Sequence, residues 1–138
     1  ILIMTSNLGA QFAFDQEQRE EHYHQALKQY FKPEFINRID EIVVFNALDD
    51  DMMIQIAHKF MNEFVQRLAQ KDIKLEVSSN VYQAIVKEGS DAHYGARPMK
   101  RYIQRNIETK VARYMLQEGL MKDGTLHLDY ADNQFILS

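Results

Sequence analysis

The chain contains no cysteine, so it forms neither a disulfide nor a thiolate metal site, and a reducing compartment is compatible with it. It also lacks an apolar run of the roughly 18 residues that a membrane helix needs. The opening Ile1-Leu2-Ile3-Met4 is too short for a signal peptide and has no basic flank. The formal net charge of -4 gives no electrostatic reason to expect nucleic acid as a partner. We therefore expect a cytoplasmic protein with neither membrane nor nucleic acid as a partner.

Two short runs of aliphatic and β-branched residues are typical of strands. Ile1 to Met4 has the pattern of a strand buried on both faces of a parallel sheet. Such a strand would have no partner here and would leave its backbone groups unpaired, so the chain looks like a piece of something larger. Glu41 to Phe45 is the second β-like run. Between the two runs, residues 15–31 have the spacing of an amphipathic helix that Pro33 stops.

A change in composition at residues 46–51 predicts a subdomain boundary near residue 47. Asp49, Asp50 and Asp51 are suited to cap a helix that we predict to about Lys71. The rest of the chain alternates strands and helices, which predicts helices packed on a small sheet. The predicted elements are a strand through 73–77, a helix from 78–80 to 89, a helix from about 98 to 118, and a hairpin with its turn at 131–133.

The stretch Gly95-Ala96-Arg97-Pro98 contains a locally unfavourable residue. Pro98 suits the first position of a helix, which would make Arg97 the cap residue. Arginine cannot accept a hydrogen bond from the first-turn amides, and its charge at the positive end of the helix dipole costs about 0.3–1 kcal/mol. A bound anion would offset this cost, because the amides, the dipole and the guanidinium would all point at it. A surface salt bridge to a carboxylate would also offset it, and the residues alone do not decide between the two.

Arg38 follows a short turn that three apolar side chains anchor: Phe35, Ile36 and Ile39. A rigid, permanently charged guanidinium suits phosphate oxygens. The residues alone nevertheless favour an internal ion pair with a neighbouring carboxylate, Asp40 or Glu41.

Asn7 closes Thr5-Ser6-Asn7, the predicted strand end that follows the first β-like run. Ligands of parallel α/β sheets gather at the carboxyl ends of strands, where an amide can orient a water molecule. An asparagine in this position is more often a simple turn residue.

Together, three segments resemble the second AAA+ module of Clp-type (Hsp100) ATPases, in particular the ClpB disaggregase type. They are Thr5-Ser6-Asn7, Phe35-Ile36-Asn37-Arg38-Ile39-Asp40 and Tyr94-Gly95-Ala96-Arg97-Pro98. The resemblance covers essentially the whole chain. It implies an α/β plus α+β fold. Residues 1–46 would be the end of an AAA+ large subdomain, and residues 47–138 the AAA+ small C-terminal subdomain.

The resemblance also implies roles for five residues. Asn7 would be sensor 1, which helps to position the attacking water. Arg38 would be the arginine finger that reaches the ATP of the neighbouring subunit, and Arg97, preceded by Ala96, would be sensor 2. Ile56 would line the adenine pocket, although simple core packing is the better explanation of this residue. The parent protein would be an ATP hydrolase that uses ATP or ADP with Mg²⁺. Its partners would be identical subunits, in a hexameric ring, and misfolded or aggregated proteins.

Two motifs of such ATPases are absent. The chain has no Gly-x-x-x-x-Gly-Lys-Ser/Thr loop and no acidic strand end before Asn7, so we expect this piece alone to be inactive. It also lacks the Ile-Gly-Phe/Leu tripeptide of peptidase-coupled relatives, because residues 8–14 read Leu-Gly-Ala-Gln-Phe-Ala-Phe. This favours a stand-alone unfoldase or disaggregase, with the matching part of a peptidase-coupled Clp ATPase as an alternative.

A second alternative is a non-catalytic protein-interaction domain whose arginines make only ion pairs. We expect no metal site, because His22 and His24 are two residues apart and point to different sides of a helix. Five basic residues of the long predicted helix either solvate its outer face or pair with acidic groups of a neighbouring subunit. They are Lys100, Arg101, Arg105, Lys110 and Arg113.

Overall fold

The computed structural model describes residues 1–13, 18–91, 94–119 and 124–138. The chain forms two compact units, Ile1–Ala47 and Leu48–Ser138. The first unit contains a 3₁₀ helix, Ala10–Phe12, followed by α1 (Arg19–Tyr30) and the single turn of α2 (Pro33–Ile36). Helix α1 is shorter than the predicted 15–31, and residues 15–17 lie outside the described part. Pro33 occupies the start of α2, where its missing N–H costs no hydrogen bond.

The prediction of strands at residues 1–4 and 41–45 is wrong for this chain. Both runs lie outside any helix or strand, and Ile1, Leu2 and Phe45 are each more than 80% exposed. The reason is physical: a strand is stable only when a neighbouring strand accepts and donates its backbone hydrogen bonds. The described residues of the first unit contain no strand that could do so.

The second unit begins with α3 (Asp50–Ala69), as predicted. The Asp49 carboxylate accepts a hydrogen bond from the backbone N–H of Met52 at 2.8 Å, and Asp50 and Asp51 lie in the first turn. Capping and favourable first-turn charge therefore start this helix where the sequence places them. One face of α3 is buried, through Met53, Ala57, Met61, Phe64 and Leu68.

A three-stranded mixed sheet lies against the helices. Strand β1 (Ile73–Val77) pairs in parallel with β2 (Gly124–Ala131), and β2 pairs antiparallel with β3 (Gln134–Leu137). The predicted turn between β2 and β3 is confirmed: Asp132 and Asn133 have φ angles of 51° and 59°. Both central residues therefore adopt the left-handed conformation that two-residue hairpins favour.

Helix α4 (Ser79–Gly89) follows β1, and Ser78 is its N-cap position. Serine is a favoured cap residue, but the Ser78 side chain makes no capping hydrogen bond here. The Ser78 hydroxyl instead donates to the Asp129 carboxylate of β2 at 2.5 Å. Ser78 thus ties the start of α4 to the middle strand rather than to its own first turn.

The long predicted helix is continuous but not uniform. It consists of α5 (Met99–Ile103), a π-helical turn (Gln104–Glu108) and α6 (Thr109–Gln117). Its buried stripe repeats every four residues, through Met99, Ile103, Ile107 and Val111. Steps of four overshoot an α-helical turn of about 3.6 residues, so this stripe would rotate away from the core. The wider π turn, with i→i+5 hydrogen bonds, offsets that rotation, and the Thr109 hydroxyl donates to the Gln104 carbonyl at 2.9 Å.

The core of the second unit is contributed by every helix and strand of that unit. Its fully buried large side chains include Met61 of α3, Ile85 of α4, Ile107 of the π turn and Leu126 of β2. This arrangement is α+β, with helices packed on a small sheet, as the sequence predicts. Within the described ranges, no helix is long and apolar enough to cross a membrane.

Candidate functional site

The segment that carries Arg97 begins with a tight turn. The backbone N–H of Gly95 donates to the Asp91 carbonyl at 2.7 Å, and the N–H of Asp91 donates back to the Gly95 carbonyl at 3.1 Å. The Asp91 carboxylate also accepts from the Tyr94 N–H at 3.0 Å. Gly95 has φ +59°, a conformation that strains residues with a Cβ. The glycine of the Gly-Ala-Arg motif is therefore required by the shape of the turn.

Arg97 lies between this turn and the following helix. The helix begins one residue later than predicted, so Arg97 precedes the cap instead of forming it. Pro98, not Arg97, is the N-cap, since the Pro98 carbonyl accepts the first helical hydrogen bond from the Tyr102 N–H at 3.0 Å. The Met99 N–H closes a preceding turn on the Ala96 carbonyl at 3.1 Å, which moves the helix start by one residue. Arg97 therefore does not bear the cost of an arginine at a helix cap directly.

The Arg97 backbone is held on both sides while its side chain is exposed. Ala96 packs partly buried against the core, and Met99 is fully buried. Among the described residues, none forms an ion pair or a hydrogen bond with the Arg97 guanidinium. Of the two interpretations left open by the sequence, the surface salt bridge is thus not observed within this part of the chain.

Ile56 lies in the first half of α3 and is partly buried against the core. One turn earlier on the same helix, Met53 faces the Arg97-bearing turn. Its terminal methyl carbon lies 3.8 Å from the position that a Cβ on Gly95 would occupy. The fold therefore brings the start of α3 and the Gly95–Arg97 turn together in the second unit.

Arg38 belongs to the first unit and follows α2. Its backbone N–H donates to the Phe35 carbonyl at 3.1 Å, and the Phe35 ring stacks on Phe31 with centroids 4.8 Å apart. The Arg38 side chain is exposed and, in the described ranges, makes no ion pair. The ion pair with Asp40 or Glu41 that the residues favoured is therefore not formed.

Asn7 also belongs to the first unit and is exposed at the end of the irregular opening segment. Its carbonyl accepts from the Ala10 N–H at 3.1 Å, which starts the 3₁₀ helix. Gly9 follows, and a Cβ there would approach the Tyr23 ring to 2.5 Å. Close packing of Tyr23 on Gly9 thus fixes the backbone just after Asn7. Asn7 and Arg38 lie in one unit, and Ile56, Ala96 and Arg97 lie in the other.

The sequence interpretation missed a polar cluster in the second unit. The Glu88 carboxylate accepts hydrogen bonds from the hydroxyls of Tyr102, at 2.5 Å, and of Tyr130. These hydrogen bonds, first that of Tyr102, hold the pKa of Glu88 below its ordinary value. Burial and the neighbouring Glu88 carboxylate raise the pKa of Tyr102. No local motif marks this cluster, because Glu88 and Tyr130 are 42 residues apart in sequence.

The donors available at the candidate residues fit an anion better than a metal ion. The exposed guanidiniums of Arg97 and Arg38 are donor-only groups that suit phosphate oxygens. In the part of the chain that the structure describes, no group of three His, Cys, Asp or Glu residues could hold a metal ion.

Two protein-family models match this chain. Residues 48–128 match the family model described as the C-terminal, D2-small domain of ClpB protein. The chain belongs to the ClpB D2-small family. Residues 1–42 match a second model, described as an AAA domain of the Cdc48 subfamily.

This chain is also similar to curated proteins with Clp names. It is 36% identical over 137 residues to "Chaperone protein ClpB" of Malacoplasma penetrans, covering 99% of this chain and 19% of that protein. It is 41% identical over 124 residues to "Chaperone protein ClpB" of Mycoplasma genitalium, covering 90% of this chain and 17% of the relative. It is 39% identical over 141 residues to "ATP-dependent Clp protease ATP-binding subunit ClpA homolog" of Pyropia yezoensis, with coverages of 90% and 17%. The chain therefore spans less than a fifth of the length of these relatives.

Proposed function

We propose that this chain is the C-terminal part of the second AAA+ module of an ATP-driven, ring-forming protein unfoldase or disaggregase. The match of residues 48–128 to the ClpB D2-small family supports this proposal. Residues 1–46 would complete the large subdomain and residues 47–138 would form the small subdomain. The working protein would be a cytoplasmic hexamer of identical subunits that acts on misfolded or aggregated proteins.

Arg97 is the residue whose surroundings give the most support to its proposed role. An exposed guanidinium without a partner among the described residues projects from a backbone that Ala96 and Met99 hold against the core. A bound phosphate would supply the missing partner through charge-assisted hydrogen bonds. As sensor 2 on the small subdomain, Arg97 would couple the nucleotide to the angle between the subdomains, a hinge-type switch. Ile56 and Ala96 would contact the nucleotide from the same unit.

Arg38 and Asn7 would serve the hydrolysis step. Phosphoryl transfer depends on positioning and on neutralisation of charge at the γ-phosphate, and an arginine finger contributes about 10³–10⁵ in rate. Arg38 would supply this charge to the ATP of the neighbouring subunit, and Asn7 would help to orient the attacking water. ATP with Mg²⁺, held by parts of the protein outside this chain, would supply the phosphoryl group.

Substitutions in the full-length parent test these roles. We expect Arg97→Ala to weaken ATP binding and lower turnover, and Arg38→Ala to lower turnover about 10³-fold or more while ATP still binds. Arg101→Ala is the matched control, because Arg101 is exposed on α5 and forms no ion pair with a described residue. Normal hydrolysis by assembled Arg97→Ala and Arg38→Ala rings would make both arginines structural. A protein-interaction domain would then be the better account.

Coupling to a peptidase is a second candidate, favoured by the name of the Pyropia yezoensis relative, an ATP-binding subunit of a Clp protease. The absence of an Ile-Gly-Phe/Leu tripeptide in residues 8–14 favours the stand-alone remodeller. Degradation of an unfolded substrate by a Clp-type peptidase in the presence of the full-length protein and ATP would establish the coupled function. Reactivation of an aggregated enzyme without any peptidase would support the disaggregase.

A further inference from the structure

The second unit contains a groove that the nucleotide roles do not use. It lies between β3 on one side and the π turn with α6 on the other, and has a volume of about 830 Å³. Tyr102, Tyr130 and Phe135 contribute aromatic rings to its lining, with the Tyr130 and Phe135 centroids 5.0 Å apart. We call it the β3 groove.

The strand that borders the groove has an unpaired edge. Strand β3 has β2 as its only neighbour in the described sheet. His127 and Ser138 exchange both backbone hydrogen bonds, at 2.8 and 3.1 Å. Hydrogen-bonded and non-hydrogen-bonded pairs alternate along an antiparallel ladder. The N–H and C=O groups of Phe135 and Leu137 therefore point away from β2, toward the open edge.

One of these four outward groups is already occupied. The Lys110 ammonium of α6 reaches across and donates a hydrogen bond to the Phe135 carbonyl. The described residues offer no partner to the other three groups, the Phe135 N–H and the N–H and C=O of Leu137. An extended peptide could pair with these groups as an added strand, a common mode of peptide recognition.

The charges of the β3 groove select the kind of peptide. Three cations line it, Arg105, Lys110 and Arg113, against a single carboxylate, Glu88. That carboxylate is already engaged by the hydroxyls of Tyr102 and Tyr130. Neither arginine forms an ion pair with a described residue. The lining is thus complementary to negative charge.

We propose that the β3 groove binds an acidic segment of a partner protein, which adds in extended conformation to the sheet along β3. Lys110 makes the site selective. A neutral strand must displace the ammonium from the Phe135 carbonyl and offers it at most another neutral acceptor. An acidic strand offers a carboxylate, and a charge-assisted hydrogen bond is stronger than one to a neutral carbonyl.

The test uses the full chain and a labelled peptide in which glutamate and valine alternate, with glutamine–valine and lysine–valine peptides for comparison. We expect the glutamate peptide to bind about tenfold or more tightly than the glutamine peptide in low salt, and the difference to shrink as salt screens the charges. Arg113→Glu should weaken binding of the glutamate peptide about tenfold. Arg101→Glu, the same charge reversal on α5 outside the groove, should leave it within about twofold.

Two further measurements separate strand addition from general attraction of anions. Hydrogen exchange of the Phe135 and Leu137 amides should slow at least about tenfold when the glutamate peptide is bound. Lys110→Met frees the Phe135 carbonyl. It should therefore tighten binding of the glutamine peptide and reduce the preference for the glutamate peptide over the glutamine peptide. Equal affinity for all three peptides, unchanged amide exchange, or equally tight binding of oligouridylate would each overturn the proposal.

Discussion

Gly89, the last residue of α4, is a position at which a single added methyl group should destabilise the fold. It is buried, and a Cβ built on it would lie 3.0 Å from Cγ, 3.1 Å from Cδ1 and 3.1 Å from Cβ of Tyr102. These atoms form the base of the Tyr102 side chain, and its hydroxyl is held by Glu88 at 2.5 Å. The side chain therefore cannot swing away without losing that hydrogen bond.

Two opposing effects set the magnitude for Gly89→Ala. Alanine is favoured over glycine within a helix by up to about 1 kcal/mol, and less at the last residue. Overpacking a well-packed position costs about 1–3 kcal/mol. We therefore expect a net loss of about 1–2 kcal/mol in the free energy of unfolding. For a unit of this size, each 1 kcal/mol lowers the melting temperature by about 4–8 °C.

A double-mutant cycle tests the cause as well as the size of the loss. Tyr102→Ala removes the two ring atoms and leaves only the Cβ contact, so at least about half of the cost of Gly89→Ala should disappear in that background. Urea unfolding followed by circular dichroism measures all four proteins. A Gly89→Ala protein as stable as the parent chain, or an equal loss in both backgrounds, would refute the steric argument.

The other two predictions concern the polar cluster around Glu88 and a helix cap. The lowered pKa of Glu88 stabilises the fold above the ordinary glutamate pKa, and this stabilisation is lost as pH falls through the lowered value. In Glu88→Gln, the urea midpoint should therefore fall less steeply as the pH is lowered through the acid range. An equally steep fall in the parent chain and in Glu88→Gln would contradict the contribution of Glu88. Asp49→Ala should lower the free energy of unfolding by about 1 kcal/mol by removing the acceptor for the Met52 N–H. Asp49→Asn keeps an acceptor and should retain most of the stability in the same assay, and equal losses for both would exclude capping.

Local signals predicted the second unit well because its elements begin and end on residues with a strong local preference. Asp49 starts α3 through its own side chain, and Asp132 with Asn133 supports the left-handed turn between β2 and β3. The same kind of reasoning failed at residues 1–4 and 41–45. Their composition favours strands, but a strand also requires a neighbouring strand to hydrogen-bond with. Whether such a neighbour exists depends on residues far away in the sequence.

The candidate site could be predicted in part. The Gly-Ala-Arg and Asn-Arg motifs located Arg97 and Arg38, but the helix start next to Arg97 was predicted one residue too early. Pro98 is compatible with both the cap and the first helical position, so the sequence does not separate the two registers. The hydrogen bond of Lys110 to the Phe135 carbonyl joins residues 25 apart, and the sequence carries no periodic signal for it.

The order of strands in the sheet also determines when this unit can fold during synthesis. β2 lies in the middle, and its parallel partner β1 precedes it by about fifty residues, with Ile73 aligned to Gly124. Domains fold on the ribosome as their residues emerge, and contacts between distant segments form slowly. β1 must therefore wait for its strand partner until β2 has left the exit tunnel. The apolar side chains of β1 and α4 that pack against β2 stay exposed until then, and such exposed surface makes an incomplete chain prone to aggregation.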